Sequence, residues 1–196
     1  MTSLLLATRN AHKAREIQEI LGPGFEVRDL SGYPEIPETV ESGKTFEENA
    51  VLKALAVSQR CEGLVLADDS GLEVDALGGA PGIFSARYAG PDATDLQNIE
   101  KLLGALARTN DARRSARFRC VIALARGNKI LEKFSGTVEG RIIETPRGQE
   151  GFGYDPIFVP DGFRETFGEL PAQTKNRISH RAQALAKLRE GLRARD

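Results

Sequence analysis

The sequence predicts an α/β fold, and three observations carry that expectation. Apolar runs of strand length, Ser3–Ala7, Leu64–Ala67 and Ala116–Ala125, recur along the chain. Between them lie Ala11–Leu21, Phe46 to about Arg60, and Pro91–Leu106, whose apolar residues repeat at helical spacing. Arg126-Gly127-Asn128-Lys129 then joins two strand-like runs as an antiparallel hairpin. At 196 residues, with 40% hydrophobic and 28% charged residues, the chain suits one globular core. No repeat, low-complexity tract or linker divides it, so residues 1–196 read as a single domain.

Each element has a local reason. The first strand ends at Thr8-Arg9-Asn10, and the helix after it presents Ile17, Ile20 and Leu21 before Gly22-Pro23-Gly24 stops it. A strand, a polar turn and a helix start make a phosphate cradle, because free N–H groups and the positive helix end meet at the turn. Lys13 lies in the first helical turn, where a cation opposes the helix dipole, and that cost points to an anionic partner. Phe25–Asp29 reads as a second strand, and the proline- and acid-rich segment from Tyr33 to Gly43 as a loop. Gly43-Lys44-Thr45 looks like the end of a phosphate-binding loop. However, position 38 is glutamate where that motif needs glycine, and Glu35, Glu38 and Glu41 would repel a phosphate. Thr45 is instead expected to cap a helix, with Glu48 completing a capping box. Phe46, Ala50, Leu52, Ala54 and Val57 are its expected buried face, and Lys53 and Glu41 lie near enough to join a polar site.

The run Leu64–Ala67 is expected to stop at Asp68-Asp69-Ser70-Gly71. Adjacent carboxylates repel and need a cation, and hard oxygen donors favour Mg²⁺ or Mn²⁺. A solvated turn is the plainer alternative for those four residues. Leu72–Leu77 alternates apolar and acidic residues as a half-buried strand does, and Gly78-Gly79-Ala80-Pro81-Gly82 turns sharply after it. Asp92 and Thr94 are candidate caps for the next helix, with Leu96, Ile99, Leu102, Leu103 and Leu106 inward. Ile130–Phe134 and Thr137–Ile143 read as two further strands. Gly151-Phe152-Gly153-Tyr154-Asp155-Pro156 suits a loop that offers a flat ring to a base or sugar. Ser179 is expected to cap the last helix, which places His180 and Arg181 in its first turn, close to Lys175.

Composition narrows the function class. A formal net charge of −1 gives no general affinity for nucleic acid or acidic membranes. Acids surround Arg108, Arg113, Arg114, Arg117 and Arg119, so that segment reads as a solvated face. Cys61 and Cys120 have no metal-binding spacing and read as core residues of a reduced compartment. With no signal-like N-terminus and no apolar run long enough to span a bilayer, a cytosolic protein is expected.

Taken together and in this order, these segments resemble the inosine triphosphate pyrophosphatase family. The resemblance runs from Leu5-Ala-Thr-Arg-Asn-Ala-His-Lys13 through Thr45-Phe-Glu-Glu-Asn-Ala50, Ala67-Asp-Asp-Ser-Gly-Leu72 and Leu77-Gly-Gly-Ala-Pro-Gly82. It continues through Ser85-Ala-Arg-Tyr88, Gly151-Phe-Gly-Tyr-Asp-Pro156 and Ser179-His-Arg181, and so covers nearly the whole chain. Arg9 departs from it, since many members have glycine there, and would add a cation to the phosphate loop. The resemblance implies an elongated mixed sheet flanked by helices, two lobes with a deep central cleft, and a homodimer. It implies hydrolysis of deaminated purine nucleoside triphosphates (dITP, ITP, XTP) to the monophosphate and pyrophosphate. Thr8, Arg9, Asn10, Ala11, His12 and Lys13 would hold the triphosphate, Glu41 and Asp69 the Mg²⁺, and Asp69 would also accept the proton of the attacking water. Ser70, Phe152, Gly153, Tyr154, Asp155, Lys175, His180 and Arg181 would bind the nucleoside, and Lys53 is a further phosphate candidate. The competing readings are a Maf-like pyrophosphatase with other base specificity and a nucleotide-binding module without catalysis. The crowding of Glu41, Asp68 and Asp69 argues against the second.

Overall fold

The computed structural model describes residues 1–109 and 111–193. Helices flank a six-stranded sheet of order β2-β1-β3-β4-β5-β6, a mixed α/β fold. Strand β1 (Thr2–Leu6) runs parallel to β2 (Phe25–Asp29) and to β3 (Leu64–Val74), while β5 (Lys129–Ile142) pairs antiparallel with β6 (Phe158–Pro160). Strand β4 (Ser115–Arg126) meets β5 through Gly127 and Asn128, both at positive φ (55° and 62°), the two-residue turn expected of such a hairpin. The described chain falls into two compact units: residues 1–69, 120–136 and 181–196, and residues 70–119 and 137–180.

In the first unit, helix α1 (Ala11–Leu21) has the predicted bounds, because Asn10 caps its start and Gly22, at φ 75°, ends it. Helix α2 (Phe46–Ser58) starts at the Thr45 cap, whose side chain accepts the Glu48 N–H; Glu48 itself bonds back to Lys44 N–H rather than to Thr45. Leu4, Leu6, Ile17, Leu21, Leu66, Ile122 and Leu124 pack with Ala184, Leu185 and Leu188 of helix α5 (His180–Arg193). Leu52 does not join the core. The buried face of α2 is Phe46, Asn49, Ala50, Lys53, Ala54, Val57 and Ser58, so two polar positions take part and Leu52 is left outside.

In the second unit, helix α3 (Asp95–Leu106) is capped by Thr94, not Asp92, in a complete capping box with Gln97. Ile99, Leu102 and Leu106 pack against Leu72, Val74, Phe118, Phe158 and Phe167, whereas Leu96 is 60% exposed. Three further expectations change. The strand that begins at Leu64 does not stop at Asp68 but runs on to Val74. The segments Ile130–Phe134 and Thr137–Ile143 form one strand, β5, because pairing carries it across Ser135-Gly136. Helix α4 (Ala172–Ile178) was not foreseen, and Lys175 sits on it. The arginine-rich segment is internally compensated: Arg117 pairs with Asp75 and Glu139, and Arg119 with Glu73. Among the described residues, no helix is long and apolar enough to cross a membrane.

Candidate active site

Successive side chains on a strand point to opposite faces, so Asp68 and Asp69 need not share an environment. They do not. Asp68 is enclosed by Lys13 Nζ (2.6 Å), Arg181 Nε (2.9 Å) and the Cys120 thiol (3.1 Å). Burial would raise its pKa, but the charges of Arg181 and Lys13 prevail and hold it well below the usual carboxylate range. Asp69 instead meets Lys53, whose ammonium donates to Asp69 Oδ1 (2.7 Å), the Asp68 carbonyl (2.8 Å) and Glu41 Oε1 (2.9 Å). Burial raises the Asp69 pKa, and Lys53 only partly offsets it. For Lys53 the balance is reversed: burial lowers its pKa, but Asp69 and Glu41 together prevail and raise it. Asp69 Oδ2 is buried and has no hydrogen-bond partner.

The turn after β1 has the form of an anion cradle. Asn10 Oδ1 accepts the Lys13 N–H (3.1 Å) and Thr8 Oγ1 the Asn10 N–H (3.1 Å), while Arg9, Asn10, Ala11 and His12 are exposed. The anionic partner expected for Lys13 is, in this state, Asp68. Arg9 does not add a free cation to the loop: its guanidinium donates to the carbonyls of Leu30, Tyr33 and Ile36 and ties that turn to the cradle.

Arg181, expected to bind the nucleoside, is in this state 1% exposed and bonds to Asp68 and, through Nη1, to Glu16 (3.0 Å). Against the cost of burial, these carboxylates raise its pKa well above the usual value. Glu16 was missed in the sequence; the available signal was an acid beside Ile17 on the inward stripe of α1.

In the second unit, Lys175 Nζ lies 4.9 Å from the Phe152 ring centroid and 2.6 Å from Asp155 Oδ2. The same oxygen accepts the Phe152 N–H at 2.9 Å. Gly151, at φ 75°, leaves room for this: a Cβ there would fall 2.0 Å from Asp155 Oδ2. Gly153 N–H donates to Asp95 Oδ2 (2.6 Å), and the Tyr154 hydroxyl to the Ser85 carbonyl (2.9 Å). Tyr154, Asp155 and Lys175 are buried, and Phe152 is half-buried. Asp95 is not singled out by the sequence, where nothing local marks it as a loop anchor. His180 is buried, with its ring stacked on Phe118 at 4.9 Å; Ser70 is half-buried on β3.

The residues present fit a divalent cation of the magnesium type. Such an ion uses one or two carboxylates and completes its shell with water and substrate phosphate. Glu41 and Asp69 are two hard donors held on one ammonium, and Asp69 Oδ2 is a buried acceptor with no protein partner. No group of three or more His, Cys, Asp or Glu side chains that could hold a metal ion occurs among the described residues.

Carboxylates delivered beside a lysine-bearing phosphate cradle define a nucleoside triphosphate hydrolase, and comparison with known proteins gives the lineage. The Ham1 family profile matches residues 4–191, and the chain belongs to that family. It is 48% identical over 189 residues to a dITP/XTP pyrophosphatase of Bacillus licheniformis, covering 96% of each chain. It is 47% identical over 195 residues to one of Bacillus subtilis, covering 99% of this chain and 98% of that one. The solved structure of a HAM1 protein from Coxiella burnetii superposes with a TM-score of 0.88 at 44% identity, covering 99% of this chain and all (100%) of that one. A nucleoside-triphosphatase / dITP/XTP pyrophosphatase from Mycobacterium abscessus gives 0.76 at 41% identity, covering 95% and 98%.

Proposed function

We propose that this chain hydrolyses deaminated purine nucleoside triphosphates, dITP, ITP and XTP, to the monophosphate and pyrophosphate, and so clears them from the nucleotide pool. The relatives' activity supports the substrate class. The observation that carries the chemistry is Asp69, a buried carboxylate with one oxygen on Lys53 and the other unbonded. In this reading Asp69 Oδ2 accepts the proton of the attacking water, and Lys53 keeps the carboxylate oriented. The turn from Thr8 to Lys13, the start of α1 and the Lys13 ammonium bind the triphosphate. Phosphate then competes with Asp68 for Lys13. Glu41 and Asp69 would hold Mg²⁺, or Mn²⁺ in its place, which supplies charge neutralisation and acidifies water.

Phe152 and Lys175 recognise the base. An aromatic face stacks on any base, so Phe152 adds affinity without choice. Lys175 has only donors and is matched by a 6-oxo group but not by the 6-amino group of adenine. Guanine shares the 6-oxo group and N1–H with hypoxanthine, so Lys175 alone does not refuse it. Membership of the Ham1 family and the Lys53-bridged acids favour this reading over a Maf-like specificity or a silent binding module.

A homodimer in a reducing cytosol belongs to the same proposal. Two unpaired cysteines suit that compartment, and Phe84 and Leu96, 54% and 60% exposed, are apolar side chains an assembly would cover. Sedimentation as a monomer at micromolar concentration would remove the dimer from it.

Asp69→Asn tests the chemistry. The change keeps shape and removes the proton acceptor, so kcat should fall by roughly 10²-fold or more. KM should move little, because cradle and base loop are untouched. Near-normal turnover would reduce Asp69 to a structural role.

A further inference from the structure

We infer that Asn49 is a positioning residue for Glu41: it fixes the loop that brings this carboxylate to Lys53 and Asp69. The inference rests on the proposed metal-holding role of Glu41.

Asn49 lies one helical turn before Lys53 on α2, so the two side chains share a face. That face is otherwise made by Phe46, Ala50, Ala54, Val57 and Ser58, and Asn49 is fully buried within it (0% exposed). Asparagine is a poor choice for a buried helix interior: its propensity is low and its amide loses water. Its side chain is half used. Oδ1 accepts the Gly43 N–H at 2.9 Å, while Nδ2 is buried without a hydrogen-bond partner. Keeping an amide with an idle donor makes sense only if the acceptor has a purpose.

The loop side shows the same dependence. A Cβ at Gly43 would lie 2.6 Å from Asn49 Oδ1, 2.7 Å from Glu48 Cβ and 3.0 Å from Asn49 N, so the backbone there rests directly on the first turn of α2. Lys44 N–H is tied next door to Glu48 Oε2 (2.6 Å), and Glu41, two residues before Gly43, reaches Lys53 at 2.9 Å. Anchoring position 43 confines position 41 to about two residue lengths, ~7 Å of chain. Asn49 thus sets where the Glu41 carboxylate starts, and Lys53 where it ends.

The test uses Asn49→Ala, Gly43→Ala and the double variant of the full chain. Mn²⁺ binding is titrated calorimetrically without nucleotide, and thermal unfolding is followed in parallel. Each single change should weaken Mn²⁺ binding by about tenfold or more, the scale of lost outer-shell support. The double variant should be no weaker than the worse single, since both break one contact. With saturating Mg²⁺, the KM for ITP should stay within about twofold, because uniform binding is untouched. Folded variants with wild-type Mn²⁺ affinity would overturn the inference and leave the proposed function standing. A wild-type protein that binds no Mn²⁺ would overturn the metal role of Glu41 and this inference with it. Should Asn49→Ala not fold, Gly43→Ala, in a partly exposed loop, gives the same readout.

Discussion

Lys53 Nζ stands 2.7 Å from Asp69 Oδ1 and 2.9 Å from Glu41 Oε1, so one buried ammonium bridges both carboxylates. In the proposed function a divalent ion would sit on the same two acids, so ammonium and ion would compete for them. Removing the ammonium leaves both acids to the metal. Lys53→Met should therefore bind Mn²⁺ more tightly in the absence of nucleotide, by roughly tenfold, equivalent to about 1.4 kcal/mol. Turnover should fall, since Asp69 loses its orienting partner. Unchanged or weaker Mn²⁺ binding by calorimetry would show that the ammonium and the metal do not share these acids.

Asp68 and Arg181 form the structural counterpart of that pair. Asp68→Asn strips a buried guanidinium of its main partner, and breaking a buried pair in this way costs about 3–5 kcal/mol. The pH dependence follows from the lowered Asp68 pKa. Below its unfolded value of 3.8, the unfolded chain takes up a proton that the folded chain refuses. This group's contribution is therefore full above that pH and is lost as pH falls toward the lower folded value. Urea unfolding between about pH 5 and pH 3 should show a fall in stability that Asp68→Asn makes shallower. A variant with wild-type stability at neutral pH would mean the ion pair contributes nothing net.

Local chemistry made much of the first unit legible. Asn10 and Gly22 bound α1, Thr45 starts α2, and Gly127-Asn128 turns β4 into β5, each through a side-chain bond or a positive φ that a short window contains. The continuation of β3 through Asp68-Asp69-Ser70-Gly71 was not legible. Those residues favour turns, and what overrides them is Arg181, 113 residues away, with Lys13 and Lys53. Leu52 and Leu96 were misplaced for a related reason: Lys53 and Asn98 take inward positions that apolarity alone would assign to leucine. Local pattern identified Lys13 as needing an anion. It could not say that Asp68 supplies one, nor that Arg181 pairs with the same carboxylate.

In the proposed function Lys175 would read the 6-oxo group of the base. It is 5% exposed, anchored by Asp155 and set over Phe152, so its donor is aimed rather than wandering. Lys175→Met keeps length and removes the donor. Because an unmatched buried polar group costs about 1–3 kcal/mol, kcat/KM for ITP should drop by roughly 10-fold to 10²-fold. The value for ATP should change much less, so the ratio between them narrows. Equal losses on both substrates would assign Lys175 to the stability of the Phe152 loop.

The central claim, hydrolysis of deaminated purine triphosphates to monophosphate and pyrophosphate, is tested most directly by one product measurement. Purified protein is incubated with Mg²⁺ and, in turn, ITP, XTP, dITP, GTP, ATP and dTTP, and monophosphate, pyrophosphate and orthophosphate are quantified at matched concentrations. The account predicts pyrophosphate and monophosphate in equal amounts from ITP, XTP and dITP. It predicts kcat/KM at least ~10²-fold below that for ATP, and no turnover in excess chelator. Orthophosphate with nucleoside diphosphate as products, or ATP hydrolysed as readily as ITP, would contradict it.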